Sequence, residues 1–104
     1  MAPHLVHIHL RSRGAETALS PEGVAALAAL ADRPGVVHAV VHSSVLPHPV
    51  VGLYLREPGV LRAEESARRL WRQLAAAEPS LRGWELVRAE VPLLVLDDLR
   101  PEDC

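Results

Sequence analysis

Histidine is the residue type in this chain that could do chemistry near neutral pH. The 104 residues include six histidines, four of which form the patterns His7-x-His9 and His38-x-x-x-His42. Imidazole gains and loses a proton close to neutrality, and its neutral form binds Zn, Cu, Fe or Ni. The candidate chemistry is therefore acid–base catalysis by His7, His9, His38 and His42 or, if a metal binds, its ligation by the same four residues.

Two further side chains could assist these histidines. Tyr54 could act as a general acid or base beside a histidine, and Arg88 could orient a carboxylate or phosphate group. Other chemistries are excluded by composition. The absence of lysine excludes a Schiff base, and a single cysteine, Cys104, excludes an intramolecular disulfide or a cysteine-based zinc site.

In four segments of the chain, including those that carry these side chains, apolar residues occur at every second position. This alternation predicts strands over His4 to Ser12, Val36 to Val45, Val50 to Glu57 and Trp84 to Val91. Leu93 to Leu96 could add a short edge strand or a docking tail, and residues 97–104 are expected to be a frayed end of this single domain, 1–104.

Two segments have helical spacing instead. Ser20-Pro21-Glu22 is typical of a helix start, and Pro34-Gly35 of the end of that helix. A longer helix is predicted from Leu61 to Glu78, ending at Pro79. Their apolar stripes are Val24, Leu27, Ala28 and Ala31 in the first helix, and Ala63, Ala67, Leu70, Leu74 and Ala77 in the second.

The order strand, helix, strand, strand, helix, strand resembles the ferredoxin-like α+β fold, βαββαβ. That resemblance implies a four-stranded antiparallel sheet in the order 4-1-3-2 with both helices on one face. The phrase Arg33-Pro34-Gly35-Val36-Val37 is similar to the helix-to-strand junction of dimeric members such as antibiotic-biosynthesis monooxygenases and ACT-like regulatory domains.

Alternation divides the strand residues into two faces. The set expected under the helices is Val6, Ile8, Leu10, Val37, Ala39, Val41, Val51, Leu53, Leu55, Val87, Ala89 and Val91. We call the other side the open face; its expected members are Leu5, His7, His9, Arg11, Val36, His38, Val40, His42, Val50, Gly52, Tyr54, Arg56, Trp84, Leu86, Arg88 and Glu90.

The open face mixes apolar residues and histidines, whereas a sheet face left in water is mostly polar. We therefore expect a homodimer that binds a small molecule at this face. The protein could be a cofactor-independent enzyme, because the monooxygenase-like relatives hold substrates in comparable pockets. Gly52 is expected to leave a trough on the third strand, into which histidines of the two flanking strands could lean. The alternatives are an ACT-like sensor or accessory docking module, a histidine metal site, and histidines that only support the structure.

Composition limits the partners. A formal net charge of −2 does not favour nucleic acid, and the longest apolar run is too short to cross a membrane. We expect a cytoplasmic protein that needs no cofactor. Lysine, asparagine and phenylalanine are absent and isoleucine occurs once, a bias typical of a bacterium with a high-GC genome.

Overall fold

The strands and helices follow one another along the chain in the order that the periodicity predicts. The computed structural model describes residues 3–16, 18–43 and 48–92. Within these ranges the elements are β1 (Pro3–Ser12), α1 (Pro21–Ala28), β2 (Val36–His42), β3 (Val50–Arg56), α2 (Val60–Ala77) and β4 (Trp84–Glu90). The observed bounds of β1, β3, α2 and β4 lie within one residue of the predicted ones at each end.

The four strands form one antiparallel sheet in the order β2-β3-β1-β4. This is the order 4-1-3-2 read from the opposite edge. The long β1 lies in the middle, pairing with β3 on one side and β4 on the other, so His7 and His9 occupy a central strand. The predicted α+β class, with four antiparallel strands and two helices, is confirmed.

Local signals start and end the first helix as expected, but its second half differs from the prediction. The Ser20 side chain accepts a hydrogen bond from the Gly23 backbone N–H at 3.1 Å and caps α1. A 3-10 helix then continues over Ala29–Asp32. Because a 3-10 helix has three residues per turn, Leu27 and Leu30 are buried, whereas Ala28 and Ala31 of the predicted stripe are exposed.

The hydrophobic core lies between the two helices and one face of the sheet. Alternate residues of the central strands enter it, and α2 contributes Ala63, Ala67, Leu70 and Trp71. Leu74 packs at its edge, while Ala77, also predicted in the stripe, is exposed. Full burial of Ile8 and Leu53, which have no exposed surface, confirms which face of β1 and β3 is covered.

A bulge in β4 corrects the predicted faces of that strand. Ile8 pairs with Ala89 and His9 with Arg88, but Leu10 pairs with Leu86, so Val87 is the extra residue. The bulge reverses the alternation before it. Trp84 is buried and Leu86 packs against the core, whereas Val87 is 38% exposed. The prediction that Trp84 and Leu86 lie on the open face, and Val87 in the core, was wrong.

A second bulge, at the start of β2, corrects the predicted faces of that strand. Val36 pairs with Leu55 and His38 pairs with Tyr54, which leaves Val37 as the extra residue. Val36 packs against the core and Val37 is exposed, the reverse of the prediction. Downstream of the bulge, Ala39 and Val41 pack against the core as expected.

Some predictions fall on residues that the structure does not describe. The predicted end of the second strand, residues 44–45, the possible edge strand at 93–96 and the end of the chain at 97–104 lie outside the described residues. Within the ranges that are described, no helix is both long and apolar enough to cross a membrane.

Candidate functional site

The register of the sheet determines which side chains are neighbours on the open face. Directly paired residues point to the same face, and successive rows are about 7 Å apart because each row advances two residues. Three rows cross the sheet from β2 towards β4: His42, Val50, His9 and Arg88; Val40, Gly52, His7 and Glu90; and His38, Tyr54 and Leu5.

The side chain of His9 is largely enclosed by its neighbours. Its side chain is only 12% exposed although it lies on the open face. Nδ1 lies 2.9 Å from Nε2 of His48, and Nε2 lies 3.2 Å from Oε2 of Glu90. The same Glu90 oxygen is 3.1 Å from Nε of Arg88. Both ring nitrogens of His9 therefore face polar groups.

These contacts assign the tautomers of the neutral pair. Nε2 of His9 is buried and has no aligned hydrogen bond to the described residues, so its contact with Glu90 is electrostatic. A carboxylate favours an N–H rather than a lone pair facing it, so the contact with Glu90 favours the tautomer of His9 that carries its proton on Nε2. The proton between the rings then belongs to His48, whose Nε2–H donates to Nδ1 of His9. Nδ1 of His48 remains as an unprotonated nitrogen.

His48 was missed by the sequence interpretation, which placed it in a turn outside the cluster. The backbone explains its position. Leu10 N–H donates to the Pro49 carbonyl at 3.0 Å, which continues the β1–β3 ladder beyond Val50. Residues 48 and 50 then share a face, so the period of two could have found His48 if it had been extended back through Pro49.

Gly52 does not form the predicted trough between histidines of different strands. Its direct neighbours across the sheet are His7 on β1 and Val40 on β2. A Cβ at Gly52 would lie 3.4 Å from Cδ1 of Leu5 and 3.7 Å from Cδ2 of His7. The nearest side chains to this position are therefore those of Leu5 and His7, both on β1, and no histidine of β2 is directly paired with Gly52.

The other predicted site residues lie in three places on the open face. His7 lies beside His9, with ring centroids 6.1 Å apart, and Arg88 and Glu90 complete this group. His42 is in the row of His9 but Val50 separates them. His38 and Tyr54 form a separate pair with ring centroids 6.0 Å apart, two rows from His9. We call His7, His9, His48, Arg88 and Glu90 the His9 cluster.

Burial and charge shift the protonation of this cluster. Burial lowers the pKa of His9 below its ordinary value; Arg88, His48 and His7 lower it further, and Glu90 opposes them. Burial also lowers the pKa of His7. Glu90 opposes this shift by raising the pKa, and His42 lowers it further by a smaller amount. Burial would raise the pKa of Glu90, but Arg88 and, to a smaller extent, His9 together outweigh it, and the pKa is lowered.

The contacts of the His9 cluster are of a kind that suits proton transfer. Within the described ranges, no three His, Cys, Asp or Glu side chains are placed to hold a metal ion together. The contacts instead form a chain from Glu90 through His9 to His48, in which a carboxylate faces one imidazole and that imidazole accepts from the next. Such a chain can move a proton between a ligand at His48 and the interior of the cluster.

Comparisons with protein-family models, with curated proteins and with solved structures found no match to this chain.

Proposed function

We propose that this protein is a homodimer of ferredoxin-like subunits that binds a small molecule at the open face and performs acid–base chemistry on it. The observation that carries the proposal is the enclosed His9, held between Glu90 and His48. The strand order and the position of both helices against one sheet face support the ferredoxin-like topology.

In this proposal, His48 is the group that meets the ligand. Its Nδ1 is the unprotonated nitrogen of the neutral pair, and its Nε2–H donates to His9. When His48 takes a proton from a ligand, His9 and Glu90 stabilise the resulting positive charge. Lowered pKa values of His7 and His9 keep those rings neutral and able to accept protons near pH 7.

Arg88 acts as an orienting residue rather than as an acid or base. Its Nε lies 3.1 Å from Oε2 of Glu90 and holds that carboxylate toward His9. Tyr54, which was expected to assist the histidines, pairs with His38 instead and lies outside the His9 cluster. The acid–base roles therefore fall on His48 and His9, with Glu90 as their support.

Hydrolysis of p-nitrophenyl acetate tests this reactivity without knowledge of the natural ligand. Nδ1 of His48 takes a proton from water as the water oxygen attacks the ester carbonyl; p-nitrophenolate then leaves and acetic acid forms, which ionises to acetate. We expect His48→Gln to lower the rate about tenfold or more, a modest fraction of what positioned acid–base groups supply. His9→Gln should lower it as well.

His38→Gln is the matched control, because His38 is exposed on the same face but lies away from the His9 cluster. It should hydrolyse the ester at the rate of the unsubstituted protein. Equal rates for all three variants and the unsubstituted protein would contradict the proposed acid–base role.

A further inference from the structure

The His9–His48 contact holds one proton where two imidazoles could carry two. Nδ1 of His9 and Nε2 of His48 are 2.9 Å apart, a distance that requires one donor and one acceptor. If both of these nitrogens were protonated, His9 would become an imidazolium, because its Nε2 already carries a proton, and two N–H groups would face each other. The hydrogen bond would then be lost and the rings would separate.

The charged groups around the His9–His48 pair determine whether a proton added to the pair is stabilised. From β1, His7 and Arg11 flank His9, and Arg11 is held by Glu85. From β4, Arg88 and Glu90 face it, and these two pair with each other. His42 lies on β2 beyond Val50. Because each carboxylate here already has an arginine, the pair with this one added proton would have a surplus of positive charge.

An anion placed between the rings would remove that surplus. The His9 imidazolium and the neutral His48 ring would each donate one N–H to an oxygen of the anion, so two hydrogen bonds to a charged acceptor would replace the single neutral one. We propose that the His9–His48 pair binds a tetrahedral oxyanion, the sulfate or phosphate group of its ligand, and takes up a proton as it does so. This rests on the proposed function, since it names the ligand class of the same site.

Binding linkage makes the inference measurable. If the anion binds the protonated pair, its affinity rises as pH falls, and anion binding raises the pKa of the pair by the same coupling. Inorganic sulfate is the probe, because it stays a dianion throughout the range in which histidine titrates. Its affinity is measured by thermal shift at constant ionic strength made up with sodium chloride, which separates binding from general salt effects.

We expect sulfate to bind the unsubstituted protein about tenfold more tightly at about pH 5.5 than at about pH 8, which spans the ordinary pKa of histidine. His48→Gln should lose this pH dependence, and His38→Gln, which removes the same charge elsewhere on the open face, should keep it. Imidazole NMR signals of His9 should move with sulfate at the lower pH, an independent measurement if the variant folds poorly.

Sulfate affinity that does not change with pH, or that keeps its pH dependence in His48→Gln, would overturn the proposal. Ester hydrolysis measured without sulfate separates this result from the proposed function: loss of sulfate binding with intact hydrolysis would remove only the anion site. Phenyl phosphate compared with inorganic phosphate identifies the source of the anion. Tighter binding of the phenyl ester indicates an organic ligand over Leu5 and Val40, and equal binding indicates a free anion.

Discussion

His9 shows how one position acquires unusual properties from its neighbours. On an uncovered sheet face a histidine would normally be solvated, yet His9 is only 12% exposed because His7, His48, Arg88 and Glu90 surround it. Removing water disfavours the charged imidazolium, and the nearby positive charge of Arg88 disfavours it further. The ring is therefore held neutral in a place where a single proton changes the local hydrogen bonding.

This residue-scale shift predicts a pH-dependent stability. The pKa values of His7 and His9 are lowered in the folded protein, so between those values and the ordinary value of 6.5 the unfolded chain binds more protons. The free energy of unfolding should therefore fall as pH drops from about 8 through 6.5 and on toward the folded pKa values. Urea denaturation across this range measures it.

The double variant His7→Gln, His9→Gln should have a flatter profile over the same range, and His38→Gln should keep the slope of the unsubstituted protein. Lowered pKa values in the folded state would be refuted by a stability that rises on acidification. Glu90 does not confuse the result, because its pKa is lowered from 4.5 and its own effect begins only near that value.

Among the elements, the two bulges have the largest effect on what the open face contains. Without a bulge, Trp84 and Leu86 would alternate in phase with Arg88 and Glu90 and cover the open face with apolar surface. The extra residue Val87 returns Trp84 and Leu86 to the core. As a result the open face loses its largest apolar side chains, and polar groups of β4 border the His9 cluster.

The bulge in β4 predicts that two adjacent substitutions destabilise the protein to very different extents. Leu86→Glu would place a charge against the core and should lower the free energy of unfolding by about 2 kcal/mol or more. Val87→Glu, at the exposed bulge position, should change it by less than about 0.5 kcal/mol. Urea denaturation of the two variants compares them directly, and a strand without the bulge would reverse their order.

For the whole molecule, the bulges remove some of the apolar residues that favoured a dimer through the open face, but other apolar residues remain there. Trp84, Leu86 and Val36 no longer support an apolar open face, because they pack on the core side. Leu5, Val40 and Val50 remain half-buried on the open face, with Tyr54 exposed among them. These residues follow the central part of the sheet, where a second copy would cover them.

The proposed dimer predicts a mass of about twice 11.3 kDa by size exclusion with light scattering. Val40→Glu should shift the protein toward the monomer, because an unpaired charge would be buried between the subunits. Val87→Glu is a suitable control, since Val87 lies at the bulge in an edge strand. Unsubstituted protein that remains monomeric at high concentration would exclude dimerisation through this face.

The sequence pattern was sufficient to predict the helices and strands and which residues share a face in most of the central sheet. Period-two alternation in β1 and β3 and capping signals such as Ser20-Pro21 act over a few residues, so they can be interpreted without the rest of the chain. They predicted that His7, His9 and His42 share one face, and the register agrees.

Tertiary structure decided the remainder, because the remainder depends on partners distant in sequence. Whether Val37 and Val87 are accommodated as extra residues is set by how β2 and β4 pair with their neighbours and by the core that Val36 and Leu86 can reach. His48 joins His9 through a contact across 39 positions of the chain. His9 could therefore be predicted as a candidate residue from the sequence, but its hydrogen bond to His48 could not, since only packing brings those two rings within hydrogen-bonding distance.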